Sequence, residues 1–291
     1  MQNNNRSSIF NAMTVDVEDY YQVSAFSKNV STDDWTKMES RVVKNTNKIL
    51  QIFNDAKIKA TFFVLGWVAE REPGLVRSIA EEGHEIASHG YSHQLIYDQD
   101  KGVFKEETLR AKKLLEDQVQ TEVLGYRAAS YSITEQSQWA IDVLIEAGFK
   151  YDSSIFPVRH DRYGMPDAPK FPYLQRSDSG KSIVEFPLST LNLLGYRLPI
   201  AGGGYFRLYP YWFSQFGLAS INKFQKKPFI FYLHPWEIDP QQPRINTSFL
   251  SKFRHYNNLD KCESRLKNLL EYFNFCTAKE VLKRSGILNT V

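Results

Sequence analysis

Seven residues, Ala60–Gly66 (ATFFVLG), are apolar apart from Thr61 and end on glycine. A strand with no polar alternation has both faces covered, which is the condition of a strand in a parallel sheet with helices packed on it. The flanking chain repeats the theme. Ile9–Val17 (IFNAMTVDV) mixes apolar and β-branched residues and reads as a first strand running into acidic EDYY. Between the two, Val42, Val43, Ile49, Leu50, Ile52 and Phe53 recur at helical spacing. Glu72-Pro73-Gly74 opens a helix that passes Ile79 and stops at Gly83. HEIASHG (84–90) follows as a short strand running into a loop. Lys101–Val119 and Thr134–Ala147 are predicted helices, with a strand at Val123–Ala128 between them, and SIVEFPL and PFIFYLH are further strands. Such alternation predicts an α/β fold built on a largely parallel sheet.

Phe156–Arg207 breaks the rhythm with Pro and Gly (FPVRHDRYGMPDAPKFPYL, then PIAGGGYF), predicting long loop insertions or small added strands. The segment 259–288 reads as one or two amphipathic helices with Leu266, Leu269, Leu270 and Phe273 on one face. Core packing is its default, a dimer or membrane-surface contact the alternative. No repeat or linker divides the chain, so 1–291 is expected to be a single catalytic domain with 259–288 as a C-terminal helical extension.

Charge excludes one class of partner. Lys and Arg total 36 against 33 Asp and Glu, too even for a nucleic-acid partner. Aromatic residues reach 14 %, which suits a groove for sugars with their flat C–H faces, though most single rings belong to the core. Cys262 and Cys276 have no CxxC spacing and suit a reduced, buried state. The first residues lack the apolar core of roughly 7–15 residues that marks a signal peptide, and no run approaches the roughly 20 needed to cross a bilayer. A cytoplasmic protein, peripheral to the inner membrane at most, is expected.

Four short motifs carry candidate chemistry. In SHGYSH, His89 and His93 stand four apart, and two imidazoles at that spacing suit a divalent metal such as zinc. TVDVEDYY offers Asp16, Glu18 and Asp19 at the end of the first strand. Residues 16 and 18 share a strand face, so one can bind metal while the other serves as base. Arg127, ending the strand in GYRAASYS, needs a carboxylate partner if it is buried. His234 ends the apolar strand of FIFYLHPWEID, where it suits a general acid.

In order and spacing these motifs resemble the polysaccharide deacetylases of the NodB-homology carbohydrate esterase family. The resemblance runs from about Phe10 to Asp239. DVEDYYQV, AGGGYFRLYP, LHPWEIDP and FRHYNNLD are similar to a branch associated with exosortase and exopolysaccharide gene clusters. It implies a distorted, incomplete (β/α) barrel and one divalent metal ion, expected to be zinc. It further implies de-N-acetylation of a glycan, an exopolysaccharide or its lipid-linked intermediate, with peptidoglycan as the rival polymer. Asp16 then matches the base, His89 and His93 the ligands, Arg127 the residue orienting the base, and His234 the acid. Val17 stands where the family has its second aspartate, so Glu18 is the first choice for third ligand and Asp19 the second. Ala128 and Ala129 follow Arg127 where proline is usual, leaving Tyr131 to supply a backbone N–H to the oxyanion. Trp236 is expected against the sugar or the acetyl methyl, and Tyr205, Phe206 and Arg207 in the groove wall. Hydrolysis of a small or cyclic amide on the same scaffold, and glycan binding without catalysis, are the competing functions. Oligomeric state is left open.

Overall fold

The computed structural model describes residues 8–160 and 163–290, so the first seven residues lie outside the described part. Its strands are β1 (Phe10–Val17), β2 (Thr61–Val64), β3 (Glu85–Ser88), β4 (Gly125–Tyr126), β5 (Tyr151–Asp152), β6 (Tyr173–Arg176), β7 (Ser182–Glu185), β8 (Thr190–Leu193), β9 (Tyr196–Pro199), β10 (Ile230–Leu233) and β11 (Asn274–Cys276). The helices are α1 (Val42–Asp55), α2 (Gly66–Arg71), α3 (Pro73–Glu81), α4 (Lys101–Val119), α5 (Ala140–Glu146), α6 (Gly203–Leu208), α7 (Tyr211–Ser220), α8 (Phe249–Tyr256), α9 (Leu259–Tyr272) and α10 (Ala278–Arg284).

One sheet runs in the order β10-β1-β2-β3-β4-β5-β7-β6, parallel except where β6 turns back antiparallel to β7. Among the described residues no pairing joins β6 to β10, so the ring stays open. The incomplete barrel expected from the resemblance is what forms. β2 has all four residues buried, as its unbroken apolar run predicted. Phe62 packs into the larger core with Phe53 and Val15, whereas Phe63, its neighbour in the strand, faces a second core with Ala87 and Tyr151. Burying each such ring contributes roughly 1.5–3 kcal/mol. The inserted stretch forms the edge strand β6 and the separate hairpin β8–β9, with long loops around them.

Three local expectations shift. The predicted helix 134–147 breaks into a 3₁₀ turn at Glu135–Ser137 and α5, because the Thr134 amide donates to Ser137 Oγ (2.9 Å) and this local bond competes with helix. The predicted strand 123–128 is ladder only at Gly125–Tyr126. The C-terminal segment holds a strand between its two helices. β11 pairs parallel with the start of β1 (Phe10↔Asn274, Ala12↔Cys276), just ahead of where β2 joins (Thr14↔Thr61). Cys262 and Cys276 are buried and unpaired. No helix among the described residues is long and apolar enough to cross a membrane.

Candidate active site

Parallel pairing aligns the C-terminal ends of the strands, and the chemistry-bearing residues leave from there. Asp16 sits beside Phe63 in the β1–β2 ladder, Glu18 follows β1, His89 follows β3, Arg127 follows β4 and His234 follows β10. In open α/β sheets this is the end where ligands bind, because the loops diverge there and leave a crevice.

The loop after β3 is folded back tightly. Gly90, at φ 72°, lets the chain turn so that its carbonyl accepts from the Gly66 amide (2.8 Å) at the start of α2. His93 is then held at φ 55°, a conformation costly for a non-glycine residue and common at functional sites. The result brings one ligand atom each from Glu18, His89 and His93 within 4.8 Å of one another. His89 Nδ1 is engaged with the Arg127 carbonyl at 2.8 Å, which leaves Nε2 for the site. Burial pulls the His89 pKa down to about 4, so the ring is neutral at pH 7 as a ligand must be. His93 Nε2 lies 2.8 Å from Glu18 Oε2. Burial works against the charge on Glu18, but His93, then His234 and His89, outweigh it and hold the pKa at about 2. Two imidazoles and a carboxylate, buried together at one focus, fit a divalent metal of the zinc type.

Asp19 goes elsewhere. Its Oδ2 accepts from the amides of Arg41 (2.7 Å) and Val42 (3.1 Å) and from Ser40 Oγ (3.0 Å), tying the loop after β1 to the start of α1. Glu18 is therefore the carboxylate that faces the two histidines.

Arg127 is fully buried and meets Asp16 as its burial requires. Its Nη1 donates to Asp16 Oδ1 (2.6 Å) and Thr14 Oγ1 (2.8 Å), while Nε and Nη2 donate to the Ser153 carbonyl and hydroxyl. Asp16 Oδ2 lies 3.9 Å from His234 Nε2, and Glu18 Oε1 lies 3.6 Å from the same nitrogen. On its other side, His234 Nδ1 is 2.7 Å from Glu237 Oε1. Burial opposes a charged imidazole here, yet the bond to Glu237 and the fields of Glu18, Glu237 and Asp16 raise the His234 pKa to about 9. Glu237 is itself held at about 2, burial being outweighed by Arg207 and His234.

Arg207 and Glu237 form a part of the site that single motifs did not reveal. Arg207 Nε donates to Glu237 Oε2 at 2.6 Å, and its remaining N–H groups reach the carbonyls of Arg254, His255 and Asn257. The glycine run explains how it gets there. Gly202 has φ 134° and lies so close to β10 that a Cβ would sit 1.9 Å from the Tyr232 carbonyl oxygen. Only glycine lets α6 begin against β10, and that start drops Arg207 into the interior. Arg207 and Phe206 are thus buried; of the three residues expected in the groove wall, Tyr205 borders a cavity of about 350 Å³ and Arg207 one of about 190 Å³, while Phe206 borders neither. The signal available was GGG followed five residues after its first glycine by an arginine with a carboxylate needed somewhere.

Two expected substrate contacts change. The Tyr131 amide already donates to the Ala128 carbonyl (3.1 Å) within a tight turn, so it is not free for an oxyanion. Ser130 and Tyr131 both have positive φ in that turn. Trp236 is nearly buried, stacked between His234 (centroids 5.0 Å) and His255 (4.1 Å), with its indole N–H donating to Glu18 Oε1 at 3.2 Å. It buttresses the carboxylate and borders the cavity rather than forming an open wall.

The site opens through a cavity of about 190 Å³ bounded by Asp16, His89, His234 and Tyr131. A second cavity of about 350 Å³ shares Ser24, Ser130, Tyr163, Gly204, Tyr232 and Arg254 with it.

Residues 30–151 match the family model for polysaccharide deacetylase, and residues 153–283 match that for a domain of unknown function (DUF3473). The chain belongs to the polysaccharide deacetylase family. Within it, 70 residues (24 % of the chain) are 37 % identical to 26 % of the peptidoglycan-N-acetylglucosamine deacetylase of Bacillus cereus. A stretch of 106 residues (33 % of the chain) is 31 % identical to 23 % of the peptidoglycan-N-acetylglucosamine deacetylase PgdA of Listeria monocytogenes. The chain thus spans about a quarter of the length of these curated relatives. In fold it is similar to the Puue allantoinase, with a TM-score of 0.61 at 16 % identity, covering 97 % of this chain and 93 % of that one. Asp16 and Glu18 lie ahead of both matched stretches of this family member, and Arg207, His234 and Glu237 lie within the second.

Proposed function

We propose that this deacetylase-family chain hydrolyses the acetamido group of an N-acetylated glycan with the help of a divalent metal, zinc in our reading, releasing acetate and a free amine. One juxtaposition carries the reading. A buried Glu18–His89–His93 group stands beside a carboxylate braced by arginine and an imidazole kept cationic, all at the open end of the sheet.

When bound, the metal supplies a Lewis acid for the acetyl carbonyl and brings the pKa of water down towards about 7. The protein residues do the rest. Arg127 occupies one oxygen of Asp16 and orients the other, Oδ2, to take a proton from water as its oxygen adds to the acetyl carbon. His234 is protonated at neutral pH, and with Nδ1–H held by Glu237 the proton it can deliver is on Nε2, which faces Asp16 and Glu18. That proton goes to the departing nitrogen as the C–N bond breaks. Two adjoining cavities, of about 190 and 350 Å³ with shared lining residues, support a glycan with neighbouring sugars, an exopolysaccharide or its lipid-linked precursor, over a small cyclic amide.

The test is acetate release from a panel of N-acetylated oligosaccharides. Release is expected to vanish with chelator and return on adding zinc. Absence of metal-dependent release from every glycan, with turnover of a small cyclic amide instead, overturns the reading.

Glu237 supplies a further prediction. It raises the His234 pKa, so the acid form is present below about 9 and is lost as pH rises through that value. Glu237→Gln is expected to move the alkaline limb of the kcat profile down by roughly one pH unit or more. An unmoved limb separates Glu237 from the acid.

A further inference from the structure

Arg254 borders both the 190 Å³ cavity of the active site and the 350 Å³ cavity outside it. It sits in the last turn of α8, and the backbone there is pinned. Arg207 Nη2 donates to the Arg254 carbonyl (3.1 Å) and Nη1 to the His255 carbonyl (2.7 Å), while the His255 ring stacks on Trp236. The Arg254 residue itself is exposed, and no hydrogen bond or ion pair with another described residue engages its guanidinium. Arg207, the other arginine at the active-site cavity, is by contrast matched by Glu237 at 2.6 Å. The fold thus fixes where the Arg254 cation stands and supplies it with no counter-charge.

The outer cavity is suited to provide one through a ligand. No acidic side chain is among the described residues that bound it. The hydroxyls of Tyr163 and Tyr205 lie 3.4 Å apart in its wall. The Tyr163 ring is stacked on His160 (3.8 Å between centroids) and on Phe156 (5.7 Å), so its hydroxyl is the part left to meet a ligand. Burial pushes the Tyr163 hydroxyl well above its usual pKa, and Arg254 is near enough to pull against that shift. Two O–H groups beside a planar fork of N–H donors suit a carboxylate or a phosphate, which takes paired hydrogen bonds from a guanidinium. A neutral sugar uses the hydroxyls and leaves the cation unmatched. Asp16 and Glu18 border the inner cavity and not the outer one, so their charge turns an anion away from the reacting acetamido group.

We propose that Arg254 makes the outer cavity a subsite for an anionic group, carboxylate or phosphate, carried by the glycan next to its acetamido sugar. What occupies the inner cavity rests on the deacetylase reading above; the charge preference of the outer one is measurable without turnover.

Calorimetric binding to the full zinc-loaded chain tests it, in an Asp16→Asn background that slows hydrolysis. Two matched pairs of probes serve. One is a tetrasaccharide alternating N-acetylglucosamine with glucuronic acid, set against the same compound with its carboxyls reduced to alcohols. The other is N,N′-diacetylchitobiose 1-phosphate against N,N′-diacetylchitobiose. In at least one pair the anionic member is expected to bind roughly tenfold tighter, the scale of a charge-assisted hydrogen bond. That advantage should shrink as salt is raised, because Arg254 is exposed. The pair that shows it names the source of the anion, uronate or phosphate. Arg254→Gln is expected to bring the anionic-to-neutral affinity ratio close to one, and Arg254→Lys to restore part of it. The structural contact of this residue is through its carbonyl, so both variants should keep the parent unfolding midpoint. A ratio near one in both pairs with Arg254 present, or a ratio that Arg254→Gln leaves unchanged, overturns the proposal. Anionic preference with no acetate release from any glycan by the chain with Asp16 intact leaves the subsite standing and removes the deacetylase reading. Acetate release without anionic preference does the reverse.

Discussion

Asp16→Asn is expected to lower the rate of acetate release by roughly 10³–10⁴-fold, the upper range for loss of a positioned general base, while calorimetric zinc affinity stays close to wild type. Two features make this substitution informative. The amide oxygen still accepts from Arg127 Nη1, now 2.6 Å from Asp16 Oδ1, and Thr14 and Ser153 hold the rest of the guanidinium. The fold therefore keeps its buried arginine satisfied, and what disappears is the basic oxygen facing His234. The metal group of Glu18, His89 and His93 does not include Asp16, so zinc binding should survive. Retention of more than about a tenth of the wild-type rate, against the hundredfold or greater loss a base implies, removes Asp16 from that role.

The largest loss of stability is expected from Arg127→Met, roughly 3–5 kcal/mol in urea unfolding, because it leaves the Asp16 carboxylate buried with its countercharge gone. Arg127 and Asp16 are both almost completely inaccessible, and the guanidinium also lies over the Phe63 ring at 4.0 Å. A methionine fills much of the volume but none of the hydrogen bonds. Combining it with Asp16→Asn removes the stranded charge as well, so the double variant should regain part of the lost stability and none of the activity. Additive losses in that cycle would show that the two residues do not act as a pair.

How much of this was legible without coordinates differs from residue to residue. The run ATFFVLG announced a strand buried on both faces, and the strand–helix alternation announced a parallel sheet, because these patterns report local burial. β11 was invisible for the opposite reason. Its three residues, Asn274–Cys276, make no periodic pattern, and their only cause for being a strand is the edge of β1 lying beside them. A comparable limit applied to Arg207 and Glu237, thirty residues apart in sequence, whose contact follows from Gly202 lying against β10.

His89 and His93, four apart after a strand, and Asp16 and Glu18, on one face of another, are spacings that the sequence alone carries, and they identified the chemistry on offer. Asp16, Arg127 and His234 also stood out because a charged or ionisable residue closing an apolar strand is costly without a partner. Which groups meet was decided only in three dimensions. Glu18 faces the histidines while Asp19 is drawn to the amides at the start of α1. The Tyr131 amide is used by its own turn, and Trp236 is turned inward by its bond to Glu18. Periodicity and residue type express preferences of short segments, whereas a hydrogen bond between Asp16 and Arg127 depends on strands 111 residues apart being brought side by side.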